Sequence, residues 1–154
     1  RDFLKTGSNK AATANVAKSA LEAKAMGYLK EDDIIVFNPY ELLHVAKVEA
    51  RAMFDAGYRP PMKKTITATG RYGWATIRAQ LVNMRDGGFI SAHDYHIACL
   101  IAGVVCGGDV DAGTLVTEEY LMTLERKAFC SLLEHPKTQE RIMGMMSTGK
   151  PVRN

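Results

Sequence analysis

The hydrophobic pattern along the chain is dominated by the 3.6-residue period, and capping residues punctuate it at regular intervals. Ser19-Ala20-Leu21-Glu22 reads as a capping box, with Gly27 as the left-handed stop of a short helix. Asn38-Pro39-Tyr40-Glu41 opens a longer helix, with Asn as cap and Pro at the first helical position, predicted to run to Ala56 and stop at Gly57. On that helix Leu42, Leu43, Ala46, Ala50, Met53 and Phe54 share one face, and Glu41, His44, Arg51 and Asp55 share the opposite one. Between these two helices Ile34-Ile35-Val36-Phe37 is too short for a strand assignment.

Tyr58-Arg59-Pro60-Pro61 closes this part, and Met62 to Gly70 reads as an extended connector. Beyond it, Trp74, Ile77, Leu81 and Met84 recur at helical spacing up to Gly87-Gly88. Ser91, with Asp94 three residues on, caps a helix through Cys106. Its second half is apolar on all sides, so other helices should surround it. Thr117-Glu118-Glu119 starts a further helix with an inner stripe of Leu121, Leu124, Ala128 and Leu132. Pro136 starts the last helix, through Ile142, Met143 and Met146, and Gly149-Lys150-Pro151 ends it. The predicted fold is mainly α: all-α after residue 61, with at most a token strand before it. The predicted division is 1–61 and 62–154.

Composition narrows the function classes. The 154 residues are 47% apolar and 24% charged, the balance of a globular domain. Lys and Arg exceed Asp and Glu by only 20 to 17, which gives no bulk electrostatic case for nucleic acid. No apolar run is long enough to span a bilayer. Three cysteines, none in a Cys-x-x-Cys pair, read as reduced thiols of a cytoplasmic protein. The opening Arg1-Asp2-Phe3-Leu4-Lys5 lacks an initiator Met and reads as cut from a longer polypeptide.

Candidate chemistry is sparse. His93 and His96 stand at i and i+3, a spacing that can supply two metal ligands, but spacing places no third ligand; they read as surface histidines. His44 and His135 have no Cys or Ser partner at a recognisable spacing. Cys99 and Cys106 lie seven apart on the apolar helix and read as core thiols. Thr69-Gly70-Arg71-Tyr72-Gly73 is a weak match to a phosphate-cradling loop and reads as a turn before a helix. Lys63-Lys64, Lys137, Arg141, Lys150 and Arg153 read as solvated basic groups, and Met143 to Met146 as core filler. No catalytic, cofactor-binding or metal-ligating residue is assigned.

Two stretches carry a family resemblance. Val16-Ala17-Lys18-Ser19-Ala20-Leu21-Glu22-Ala23, with Met26-Gly27-Tyr28-Leu29, Asp32-Asp33-Ile34-Ile35-Val36 and the helix to Pro61, resembles the final part of a crotonase (enoyl-CoA hydratase/isomerase) domain. The ending, His135-Pro136-Lys137-Thr138-Gln139-Glu140-Arg141-Ile142 to Asn154, is similar to the end of bacterial β-oxidation proteins that fuse 3-hydroxyacyl-CoA dehydrogenase to a hydratase domain. The resemblance implies a parent enzyme that uses NAD and acyl-CoA. It also implies that residues 1–61 are closing helices of a crotonase domain and residues 62–154 a helical extension. The dinucleotide loop and the crotonase oxyanion-hole region are absent from these 154 residues, and no family catalytic residue maps here. The function so implied is non-catalytic support of fold, assembly and the acyl-CoA site. The remainder of the enzyme is the implied partner, with self-association possible. The alternative is an autonomous helical interaction module without a CoA role.

Overall fold

The computed structural model describes residues 16–154. Residues 1–15, the start of the first predicted segment, lie outside the described residues. The chain divides into two compact units that meet in sequence between Lys63 and Lys64.

In the first unit, helix α1 spans Ala20–Ala25 and helix α2 spans Leu42–Asp55. The Ser19 hydroxyl accepts the Glu22 N–H at 3.1 Å, as a cap should. Glu22 returns its carboxylate to the Lys18 N–H at 2.7 Å rather than to that of Ser19, one residue earlier than a regular capping box. Asn38 caps as expected, its Oδ1 accepting the Tyr40 N–H, but Pro39–Glu41 forms a 3₁₀ turn before α2 proper begins. Residues 34–37 form no strand.

The second unit contains helix α3 (Gly70–Asp86), helix α4 (Ala92–Val105), helix α5 (Glu118–Leu133) and helix α6 (Pro136–Thr148). Each starts and stops within two residues of where the capping residues and the hydrophobic period place it. Around the start of α4 the box is reciprocal: Ser91 Oγ accepts the Asp94 N–H and Asp94 Oδ2 accepts the Ser91 N–H. Ile77 and Leu81 of α3 pack on Ala98, Ala102 and Cys106, with Trp74, Met84 and Tyr95 at the margin. Small residues on α4 let the helices approach closely, and the Trp74 indole N–H donates to the Cys99 carbonyl at 3.2 Å.

Two expectations are corrected. The second unit is not all-α, because strand β1 (Ile66–Thr67) pairs antiparallel with strand β2 (Leu115–Val116). Two-residue strands are too short to leave a period-2 signature, and the partner lies far along the chain. The apolar helix α4 is also not enclosed on all sides. It lies between α3 and α5 and leaves a groove of about 320 Å³ lined by Ile97, Ile101 and Val104 of α4 with Ala128 and Phe129 of α5. The three other helices of the unit are too few to cover a helix that is apolar all round.

Candidate functional site

The polar chemistry of the second unit concentrates where α4, α5 and α6 meet. His93, read from the sequence as a surface residue, is only 2% exposed. It sits on the inner side of the first turn of α4, where its Nε2 lies 2.9 Å from the Thr138 hydroxyl on α6. His96 is exposed, one turn further on, and His135 reaches the pair from the loop between α5 and α6. The ring centroids of His93 and His135 are 4.4 Å apart, those of His96 and His135 5.4 Å, and those of His93 and His96 6.1 Å. Burial pushes the His93 imidazole below its ordinary value, and the positive charge of Arg141 and of the neighbouring rings pushes the same way. Among the described residues no group of three or more His, Cys, Asp or Glu side chains is arranged to hold a metal ion. His135 was the member that spacing missed. Pro136 at the first helical position was the available signal, since it marks residue 135 as a helix cap.

Arg141 is a second correction. Rather than a solvated base, its side chain is 19% exposed and donates to Asp94 Oδ1 at 2.8 Å, where the Asp94 side chain is 15% exposed. It also donates to the side chain and main-chain oxygen of Asn154, at 2.8 and 3.2 Å. Burial alone would push the Asp94 carboxyl up. The hydrogen bonds from Arg141 and Ser91, with the Arg141 charge, outweigh that and hold it below its ordinary value. No spacing rule links residues 94 and 141, which are brought together only by the packing of α6.

The glycine-containing loop is tested by its amides. Gly70 N–H donates to the Cys106 carbonyl at 2.8 Å, Arg71 N–H to the Val110 carbonyl at 3.0 Å, and Gly73 N–H to the Thr69 carbonyl at 3.3 Å. Donors already spent on the main chain cannot cradle a phosphate. Gly70, at φ +57°, is required for another reason: a Cβ there would lie 2.1 Å from the Val110 carbonyl oxygen. Arg71, in the first turn of α3, pairs with Asp109 and Asp111, tying α3 to the connection that follows α4. Three of the amides are thus engaged by main-chain carbonyls, and the segment forms the start of α3, as expected of a helix-starting turn.

Among the cysteines, Cys106 is buried and Cys99 partly so, matching their reading as core thiols, while Cys130 is exposed. The Met-rich stretch is not core filler, since Met143 is exposed and Met146 is 78% exposed. Of the other basic groups, Arg153 lies 3.5 Å from Asp94. In the first unit α2 buries none of its residues. Its apolar face occupies roughly a third of the helix circumference at ~100° per residue. Leu43 and Phe54 on that face are 73% and 75% exposed. Among the described residues no helix is long and apolar enough to cross a membrane.

No family model matches the chain, and no solved structure matches it. The chain is 44% identical over 143 residues to a Bacillus subtilis (strain 168) protein described as "Probable 3-hydroxyacyl-CoA dehydrogenase". The match covers 93% of this chain and 18% of the relative, so the chain spans less than a fifth of the length of the curated protein it is similar to.

Proposed function

We propose that this chain is the C-terminal helical part of a 3-hydroxyacyl-CoA dehydrogenase of fatty-acid β-oxidation. In that role it supports the fold, assembly and acyl-CoA site of the cytoplasmic parent enzyme. The similarity over 93% of the chain carries the enzyme class. The supporting role rests on the apolar surface left open: the α2 face with Leu43 and Phe54, and the groove between α4 and α5. Surfaces of this kind mark contacts with another protein body. The partner is the remainder of the enzyme, including a crotonase core whose closing helices are residues 1–61. NAD and the acyl-CoA substrate are bound by that remainder; in this chain the amides of Gly70, Arg71 and Gly73 are already bonded to main-chain carbonyls.

The test is direct. The purified 154-residue chain should neither hydrate crotonyl-CoA nor form NADH from 3-hydroxybutyryl-CoA, and turnover by either route would overturn the non-catalytic role. The reading frame upstream of Arg1 should encode a crotonase core. A dehydrogenase without one would remove the hydratase from the proposal and leave the dehydrogenase part standing. A second reading, an autonomous interaction module, is favoured by one observation, the separate core and self-capped helices of residues 64–154. A start codon or unrelated linker upstream would decide for it.

A further inference from the structure

We propose that the histidine cluster between α4 and α6 is a pH-sensitive latch that releases α6 and the tail behind it when the pH falls below neutrality. None of the residues of α6 is fully buried, and its Met143 and Met146 are exposed. What joins it to α4 is a polar seam: His93 to Thr138, and Asp94 to Arg141.

Two imidazoles stand where that seam begins, His93 on α4 and His135 at the start of α6. His93 is buried, with Nδ1 lacking a hydrogen-bond partner, and an imidazolium there would hold its charge and an N–H at Nδ1 with no acceptor in a dry site. His135 caps α6 by accepting the Lys137 N–H with Nδ1 at 3.2 Å. Protonated at Nδ1, it becomes a donor, cannot cap, and places a positive charge at the positive end of the helix dipole. The groups whose charge acts on His93 are all basic: Arg141 and Lys137 from α6, His135 from the connecting loop and His96 from its own helix. The nearest carboxylate, Asp94, is committed to Arg141 and to the Ser91 cap, with Arg153 of the tail 3.5 Å away. From α3, Arg78 and Arg85 are turned to Tyr95, and Glu134 at the end of α5 is exposed. Among the described residues, no acidic group is among those whose charge acts on His93.

The direction follows from linkage. His93 is held below its ordinary 6.5 in the docked state, so the released state binds more protons and release is favoured as pH drops through and beneath 6.5.

Amide hydrogen exchange on the full 154-residue chain tests this, with rates corrected for the intrinsic pH dependence. Between about pH 7.5 and about pH 5.5, protection of residues 136–148 should fall about fivefold or more relative to residues 70–86. His93→Phe should reduce that differential to less than about twofold, because the buried ring no longer titrates. If His93→Phe disturbs the fold, His96→Gln at an exposed position removes one of the basic groups that act on His93 and should shrink the differential. His135→Asn, which puts a capping oxygen in place of the imidazole that contributes to the charge on His93, should shrink it too. Equal loss of protection in both helices, no loss at all, or an undiminished differential in His96→Gln and His135→Asn would overturn the latch.

Discussion

Replacing Arg141 with Met removes the charge and four hydrogen bonds while keeping most of the unbranched stem, so the perturbation is electrostatic rather than steric. The bond to Asp94 is charge-assisted and its two side chains are 19% and 15% exposed, which places it well above a surface ion pair. A hydrogen bond to a charged group is worth ~1.5–3 kcal/mol, and the residual exposure argues for the lower half of that range. Asp94 keeps its Ser91 hydrogen bonds in the variant, which limits the loss further. We expect a loss of about 2 kcal/mol, which a helical unit of this size would show as a fall in melting temperature of roughly 8–16 °C. Thermal unfolding followed at 222 nm would read it. Asp94→Asn and the double variant complete a cycle whose coupling should be about 1–2 kcal/mol. The pair also has a pH signature. Asp94 is held below its ordinary 3.8, so the unfolded chain binds the extra proton. The stabilisation is complete above 3.8 and disappears as pH falls beneath it through the folded-state value. A melting midpoint within ~2 °C of the parent, or a coupling under ~0.3 kcal/mol, would refute the view that Arg141 fastens α6.

Gly70→Ala should cost about 2 kcal/mol or more, since a Cβ would meet the Val110 carbonyl at φ +57°; a melting curve that is unmoved would show that the loop can shift aside. Asn38→Ala should cost about 1 kcal/mol of local stability, read as faster amide exchange in the 3₁₀ turn Pro39–Glu41 that leads into α2. Exchange should be faster over residues 16–57 than over 90–133 at low protein concentration, and protection of 39–56 should rise with concentration; equal and concentration-independent protection would refute the unpartnered face on α2. Under native conditions a thiol reagent should label Cys130 first and Cys106 last, and early modification of Cys106 would contradict its place in the core.

Local chemistry written in the chain determined the helices. Caps at Ser19, Asn38, Ser91 and Thr117, prolines at the first helical positions and glycines at the ends act over one turn, so their effect is readable without knowing the rest of the molecule. The inner stripe of α5 was equally legible: Leu121, Leu124, Ala128 and Leu132 are its less exposed positions, because one helix face meets one neighbour. Burial of His93, the salt bridge of Arg141 to Asp94 and the Ile66–Thr67 ribbon were decided by the tertiary structure. Each joins residues some forty or more positions apart, and no periodicity of 2 or 3.6 encodes such a pairing. The sequence set His93 and Asp94 on adjacent positions of one helix end; the docking of α6 decided that one would lose its water and the other would gain a cation.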